Sequence, residues 1–186
     1  LALGTGPHAA NDVAVDRNGN AYVTDTFGGT VFKIDTAGKV TGQFHSPLFA
    51  ATGFGVNGVV VHPAGYLLVG KYDSGQVLRV GLDGSGIRPV ELDQLAPGAD
   101  GLVLRRDGSL LVVTNSLGNP AGTAAVRVLR SSDGWRSATT TRLVPWPDPA
   151  PTTAAATPRG PVVLDGRLDL TLAGDFSLDQ FVLRRW

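Results

Sequence analysis

Three short polar dipeptides contain the residues of this sequence that are best suited to chemistry. Asn11-Asp12, Asn57-Gly58 and Asp100-Gly101 each introduce a short apolar run. Asn11, Asn57 and Asp100 offer two amide oxygens and one carboxylate oxygen, which are the donors that calcium takes. Zinc suits this set poorly, because its sites favour nitrogen and sulfur. We therefore predict a divalent-metal site, with Ca²⁺ as the ion, in which water or another acid completes the shell.

A repeat explains how residues so far apart in the sequence could meet. Segment 11–19 aligns without a gap with segment 57–65, 46 residues later, and further copies start at Asp100 and Thr152. Each copy has room for four short strands, and its first strand is an apolar run typical of strands buried on both faces. Repeats of about 40–50 residues with four strands are typical of β-propeller blades. First strands of blades line one axis, so equivalent side chains converge there.

We predict an all-β fold, a β-propeller of four-stranded antiparallel blades. The four visible blades span about 8–50, 51–96, 97–148 and 149–186. In the last blade the predicted strands are 153–157, 161–165, 168–173 and 181–186. The alternative is a β-sandwich with coincidental strand spacing, which the gapless alignment disfavours.

The start of the chain bears on how complete this propeller is. The sequence begins Leu1-Ala2-Leu3 rather than with Met, and residues 1–6 could finish a preceding blade. A closed propeller of four blades is one alternative. We favour four blades of a six-bladed ring, in a chain that is part of a longer protein or has been processed at its N-terminus. Processing would fit an organelle lumen or secretion, and the sequence itself names no compartment.

Composition excludes several classes of function. The chain of 186 residues has 16 basic and 16 acidic side chains, so no basic surface for nucleic acid is expected. It has no cysteine, which removes disulfides, thiolate chemistry and iron–sulfur clusters. No run of 18 apolar residues is present, so we expect no transmembrane segment.

The blade entrances resemble those of the senescence-marker, gluconolactonase and paraoxonase-like propellers, a calcium-dependent phosphotriesterase superfamily with NHL-like repeats. The resemblance rests on the three dipeptides at Asn11, Asn57 and Asp100 and covers the whole chain as four blades. It implies calcium in the central channel and hydrolysis of a small-molecule lactone or related ester. It also implies that Asn11 contacts substrate as well as metal. Thr152, at the equivalent place in the fourth blade, is a second candidate substrate contact.

One feature of that family is missing from this sequence. The lactonase-type members contribute a glutamate ligand from their first blade. Glu91, the only glutamate here, falls in a predicted outer strand. Either absent N-terminal blades supply the glutamate, or the site has been lost.

Asp100 and His8 are the catalytic candidates. His8 lies in the loop that leads to Asn11 and could act as a general base, because histidine titrates near neutrality; the alternative is a surface histidine. Asp12 should face away from the channel by strand alternation and be structural. Asp25, at the end of a second strand, is predicted to cap a turn.

Aromatic residues near the connection between the first two blades allow two interpretations. They could seal the gap between blades, which we favour, or line a substrate pocket on the top face; they are Phe44, Phe49 and Phe54.

Two functions remain open at this stage. The first is a calcium-dependent hydrolase of lactones or related esters. The second is a non-catalytic propeller that serves as a binding or scaffold module, as a subunit of a larger complex or with protein partners on its faces.

Overall fold

The computed structural model describes residues 5–177 and 180–186, and these residues form four mainly antiparallel sheets. The sheets are arranged as a four-blade β-propeller, so the predicted fold class is confirmed. Most of the segment predicted to finish a preceding blade, residues 1–4, lies outside the described residues. The six-bladed ring concerns residues beyond this chain and stays a prediction.

Each sheet is built from consecutive strands of the chain. The first blade contains β1 (Ala10–Val15), β2 (Ala21–Asp25), β3 (Thr30–Ile34) and β4 (Val40–His45). A 3₁₀ turn (Pro47–Phe49) leads to the second blade, which contains β5 (Val56–His62), β6 (Tyr66–Lys71), β7 (Val77–Gly81) and β8 (Arg88–Pro89). The third sheet contains β9 (Glu91–Leu92), β10 (Ala99–Leu104), β11 (Leu110–Thr114), β12 (Ala125–Arg130) and β13 (Ser137–Pro145). The fourth contains β14 (Pro151–Ala155), β15 (Val162–Asp165) and β16 (Val182–Arg185), with helix α1 (Leu168–Leu172) between the last two strands.

The strand predicted over residues 168–173 is wrong. Leu168, Leu170 and Leu172 alternate with polar residues, a pattern typical of a strand, yet Leu168–Leu172 form α1. The position beside β15 is occupied by β16, which pairs with it antiparallel. The segment predicted as the fourth strand is therefore the third strand of this blade, and the leucine segment connects β15 to it outside the sheet.

The outer strand predicted for the second blade divides between two sheets. β8 stays beside β7, whereas β9 pairs in parallel with β13 of the third blade. The Glu91 amide donates to the Arg136 carbonyl over 2.9 Å. Glu91 therefore lies at an outer edge, as predicted, and is no candidate for the channel.

Alternating residues of the inner strands pack against opposite neighbours. All residues of β6 are buried. Leu67 and Val69 belong to the core between the first two blades, and Tyr66 and Leu68 belong to the core between the second and third. Strand alternation thus explains why the sequence of this strand is continuously apolar.

Phe44 and Phe49 are buried in the core between the first two blades, which confirms their predicted role as a seal. The first blade leaves its other face open. Val13 and Val15 are 57% and 61% exposed, while Ala14 between them packs toward the second blade.

A belt of backbone hydrogen bonds joins the blades at one rim, beyond the ends of the second strands. The amides just after these strands donate to carbonyl oxygens of the loop before the same blade's first strand: Thr26 to Ala9, Tyr72 to Gly55 and Asn115 to Gly98, over 2.8–3.1 Å. The same loops donate back to the preceding blade, Gly55 to the Thr26 carbonyl and Gly98 to the Tyr72 carbonyl. This rim belt fixes the heights of three blades relative to one another.

Candidate functional site

The three dipeptides lie in β-bulges at equivalent places in the first strands. The register between first and second strand shifts between Ala10 and Val13, between Val56 and Val59, and between Ala99 and Leu102. In each case the first strand has one extra residue. A bulge bends the strand and re-aims a side chain, so Asn11, Asn57 and Asp100 depart from the regular pleat at matching positions. Thr152 occupies the corresponding bulge of β14.

Steric crowding requires glycine at the two positions that follow Asn57 and Asp100. A Cβ on Gly58 would lie 2.2 Å from the Asp100 carbonyl oxygen, and one on Gly101 would lie 2.5 Å from the Thr153 Cα. The first strands of successive blades therefore approach too closely for any side chain at these two positions. This close approach brings the bulges of neighbouring blades together at the rim.

Asp12 takes the place of these glycines in the first blade. Its Oδ2 accepts a hydrogen bond from the Val59 amide of the second blade over 2.9 Å, and its Oδ1 accepts one from Val13 over 2.8 Å. The side chain thus bridges two blades, which agrees with its predicted structural role. Burial raises its pKa, although both amide hydrogen bonds oppose that shift.

Asp100 is held by a network of neutral groups. Asn115 Nδ2 donates to Asp100 Oδ2 over 2.7 Å and lies 2.8 Å from the Pro151 carbonyl of the fourth blade. Asn115 Oδ1 accepts from the Leu117 amide over 3.1 Å and contacts the Tyr72 hydroxyl. Both ends of the Asn115 amide are therefore fixed, and its orientation fixes the carboxylate of Asp100.

The electrostatics of Asp100 are unusual for a carboxylate. Burial raises the pKa of Asp100 to about 7, and the negative charge of Asp12 adds to this effect. Hydrogen bonds from the side chains of Asn115 and Asn57 act in the opposite direction. None of the ion pairs among the described residues includes Asp100. The carboxylate is thus desolvated beside a second acid without a basic side chain to balance it.

This donor set fits a hard cation with few protein ligands. Residues 5–177 and 180–186 contain no group of three or more His, Cys, Asp or Glu that could hold a metal, so a site here must use amide oxygens. Asn57 is almost fully buried next to Asp100 and carries such an oxygen. A cation would relieve the repulsion between Asp12 and Asp100, and water would complete its shell.

Asn11 and Thr152 lie at equivalent positions but make different contacts. The exposed Asn11 donates its amide nitrogen to Thr26 Oγ1 over 2.8 Å, and that hydroxyl donates to the Val56 carbonyl over 2.7 Å. Asn11 is therefore tied to the residue that precedes Asn57. The Thr152 hydroxyl points to the Leu164 carbonyl of its own blade, at 3.4 Å, next to the Pro151 carbonyl that Asn115 contacts.

His8 does not stand free in its loop. Its Nδ1 lies 2.5 Å from Oδ2 of Asp25, whose side chain is fully buried. Asp25 Oδ1 accepts the amides of Ala9 and Gly28, over 2.9 and 3.0 Å. Burial acts to raise the pKa of Asp25, but the hydrogen bonds from Ala9, Gly28 and His8 outweigh it and hold the pKa below its ordinary value. Asp25 caps a turn, as predicted. Its contact with His8 was not predicted from the sequence.

Sequence reasoning also missed Asn115 and Tyr72. Each is the first residue after a second strand, the position that Thr26 occupies in the first blade. Each reaches toward the next blade through its side chain or its backbone. Aligning the residues after the second strands, rather than the first strands alone, would have found them.

An aromatic row runs along the same rim. Phe27, which is 42% exposed, lies 5.2 Å from Phe54 between ring centroids, and Phe54 lies 5.4 Å from Tyr72. Phe27 follows Asp25 by two residues, and Tyr72 contacts Asn115. The row thus connects the surroundings of His8 with those of Asp100. Phe54 belongs to this surface and not to the core between the blades.

Comparison with solved structures gives the class of protein, a β-propeller. A luciferin-regenerating enzyme superposes with a TM-score of 0.65 at 18% identity, over 92% of this chain and 57% of that one. Catalytically inactive H270A virginiamycin B lyase from Staphylococcus aureus, solved with quinupristin, gives 0.61 at 18% identity, over 84% and 48%. A chain of a nidogen/laminin complex gives 0.61 at 17% identity, over 82% and 54%.

At these identities the likeness concerns the fold. This chain spans about half the length of the three solved chains. No protein-family profile matches the sequence, and no curated protein matches it significantly. Within the described residues, no helix has the length and apolar character needed to cross a membrane.

Proposed function

We propose that this chain is part of a calcium-dependent hydrolase of lactones or related esters, with Asn11, Asn57 and Asp100 as the metal ligands. The observation that carries the proposal is Asp100: a desolvated carboxylate in a bulge, beside Asp12 and Asn57, with no ion pair among the described residues. Enzymes among the structural neighbours support a catalytic role.

The residues of the chain divide the work as follows. A calcium ion held by these residues would supply Lewis-acid stabilisation of the negative charge that develops on a carbonyl oxygen. Asn115 keeps the Asp100 carboxylate in one orientation, and Asn57 lies beside it. Asn11 and Thr152, at the equivalent bulges, are the proposed substrate contacts. Asp100 and His8 are the proposed catalytic groups.

A non-catalytic binding propeller is the second candidate. One structural neighbour comes from a complex of nidogen with laminin. In addition, no described residue supplies the glutamate ligand that the resemblance implies, since Glu91 lies at an outer edge. Protein partners would then use the propeller faces.

Thermal unfolding with and without calcium tests the metal site. A ligand at a hundredfold excess over its Kd stabilises the native state by about 2.7 kcal/mol, which raises the Tm of a domain of this size by about 5–10 °C. We expect this shift in the wild type and its loss in Asp100→Asn. Glu91→Gln, which removes the only glutamate at an outer edge, is the matched control and should keep the shift.

Hydrolysis assays separate the two candidate functions. Phenyl acetate and δ-valerolactone serve as the ester and lactone probes, each with calcium and with a chelator. Calcium-dependent hydrolysis that Asp100→Asn abolishes supports the enzyme. A calcium shift without hydrolysis of any lactone or ester supports the binding module, and the absence of any calcium shift contradicts the metal site.

A further inference from the structure

We infer that His8 and Asp25 form a proton-accepting dyad, in which His8 Nε2 is the general base and Asp25 is its positioning residue. The inference rests on the proposed hydrolase and names the base of its reaction. Asp25 has no part in the metal site proposed above.

The contacts of Asp25 define the state of the His8 ring. Asp25 Oδ1 already accepts two backbone amides, from Ala9 and Gly28, which holds the carboxylate in place. Its other oxygen lies 2.5 Å from His8 Nδ1. An ionised carboxylate only accepts hydrogen bonds, so Nδ1 must carry the proton. In the neutral ring Nε2 is then the unprotonated nitrogen with a lone pair.

Among residues 5–177 and 180–186, His8 Nε2 has no hydrogen-bond partner that would account for this arrangement. It is covered by the protein, yet no hydrogen bond to it is found among the described residues. Buried polar atoms are nearly always paired, and an exception calls for an explanation. A basic nitrogen held ready for a ligand or a water molecule is such an explanation.

Gly28 shows that the pair is tightly enclosed. A Cβ at this position would lie 2.2 Å from Asp25 Oδ2 and 2.7 Å from His8 Nδ1. Gly28 does not have a positive φ, so the requirement for glycine is steric. The backbone of residue 28 therefore closes over the hydrogen bond itself and shields it from water, which strengthens it.

The dyad lies at the same rim as the proposed metal site. Asp25 pairs with Ala10, the residue before Asn11, at the end of β2. Thr26, next in sequence, binds the Asn11 amide. The exposed ring of Phe27 begins the aromatic row that leads to Tyr72 and Asn115. His8 and Asp25 thus lie at the same rim as the bulge that carries Asn11.

The hydrolytic step balances with water as the only co-reactant. The oxygen of water forms a bond to the carbonyl carbon while Nε2 of His8 takes one proton of that water. The bond between the carbonyl carbon and the leaving oxygen then breaks, and the proton on Nε2 passes to the leaving alkoxide. The products are a carboxylic acid and an alcohol, and His8 returns to its starting state. Asp25 stays ionised throughout and stabilises the imidazolium.

Asp25→Asn is the most informative variant. Asparagine keeps an oxygen for the amides of Ala9 and Gly28 but turns an NH₂ group toward His8 Nδ1, so Nδ1 must accept and the proton moves to Nε2. With phenyl acetate as probe, we expect kcat to fall about 10²–10⁴-fold, the range for a lost general base, with little change in KM. His8→Gly should lose a similar factor, and added imidazole should restore part of the rate. His62→Ala, which changes a histidine at the opposite end of β5, should keep the wild-type kcat.

Two further readouts separate this inference from the metal site. Nitrogen-15 NMR of the histidine rings should show His8 protonated at Nδ1 in the wild type and at Nε2 in Asp25→Asn, whether or not a substrate is known. The calcium-induced rise in Tm should persist in both variants. A wild-type His8 protonated at Nε2, or full kcat in folded His8→Gly, overturns the dyad. If calcium does not raise the Tm of the wild type, only the metal site is contradicted. The dyad is then judged by the His8 tautomer that NMR shows.

Discussion

Asn115 Nδ2 lies 2.7 Å from Asp100 Oδ2 and 2.8 Å from the carbonyl oxygen of Pro151, so one amide group joins the inner strands of the third and fourth blades. Its oxygen is fixed by the Leu117 amide and the Tyr72 hydroxyl. The candidate carboxylate is therefore oriented by a residue that belongs to the scaffold. Stability and site geometry are coupled at this position.

Asn115→Leu tests how much this hydrogen-bond network contributes to stability. Leucine leaves the Pro151 carbonyl and the Leu117 amide without their side-chain partner, and it removes one of the hydrogen bonds of the Tyr72 hydroxyl and of the Asp100 carboxylate. Unpaired buried groups cost about 1–3 kcal/mol each, so we expect the free energy of unfolding to fall by about 3 kcal/mol in urea titrations. Ser116→Ala, the exposed neighbour, should stay within about 0.5 kcal/mol of the wild type. An equal effect of the two substitutions would contradict the network.

The raised pKa of Asp100 predicts a pH-dependent stability. In the folded state the pKa is about 7, above its ordinary value of 3.8, so the native protein binds more protons than the unfolded chain between these values. The contribution of Asp100 to stability is therefore complete below about pH 4 and is lost as the pH rises through about 7. Relative to Asp100→Asn, the wild type should lose about 2–4 kcal/mol between pH 4 and pH 8. Urea unfolding with a chelator present measures this, and parallel pH profiles of the two proteins would refute it.

Gly98→Ala tests the rim belt. Gly98 has a φ of +79°, and a Cβ there would lie 1.8 Å from the Asn115 carbonyl oxygen. Gly108 has nearly the same φ, +77°, but open space at the Cβ position, which makes Gly108→Ala a matched control. The control should cost about 1–2 kcal/mol for the left-handed backbone alone, and Gly98→Ala should cost more than about 4 kcal/mol because the belt must move. Chemical denaturation measures the free energies of unfolding of both variants. Equal losses in Gly98→Ala and Gly108→Ala would show that the belt accommodates the added Cβ without cost.

The fourth blade is attached through an ion pair that can be tested separately. Arg184 binds Asp148 with two nitrogens, at 2.5 and 2.9 Å, and so connects β16 to the segment that precedes β14. We expect Arg184→Ala to lower the free energy of unfolding by about 1 kcal/mol, less at high salt, because the arginine is half exposed. Arg185→Ala, one residue later and exposed, should have no measurable effect. A salt-independent loss in Arg184→Ala would argue against an electrostatic origin.

The sequence predicted the blades well because their signal is local and repeated. Apolar first strands and glycine turns depend only on neighbouring residues, and the spacing of about 46 residues repeats them. Strands β1, β5, β10 and β14 appear where these patterns lie. The strand predicted at residues 168–173 was wrong because the outcome there depends on a distant segment. Their alternation is that of a strand, but β16 occupies the edge of β15, and this competition is invisible in the segment itself.

The candidate site was predictable only in part. The dipeptides at Asn57 and Asp100 mark bulges, and glycine inside a strand pattern is a known sign of one. The partners of these residues were hidden, because Asn115 reaches Asp100 across a bulge and Asp25 reaches His8 across a turn. Such contacts depend on the position of each blade along the propeller axis relative to its neighbours. The rim belt fixes that position, and no single segment of the sequence encodes it.

The rim belt also determines how this rim can open. The amides of Thr26, Tyr72 and Asn115 lie just past their strands, where loops normally exchange their hydrogens with solvent quickly. The amides of Tyr72 and Asn115 are bonded to loops whose own amides, those of Gly55 and Gly98, donate to the preceding blade. Releasing either amide requires adjacent blades to separate, so Tyr72 and Asn115 should exchange in a common, slow opening event whose rate is that of blade separation rather than loop motion. The Thr26 amide, which is bonded to Ala9 of its own blade, should exchange independently.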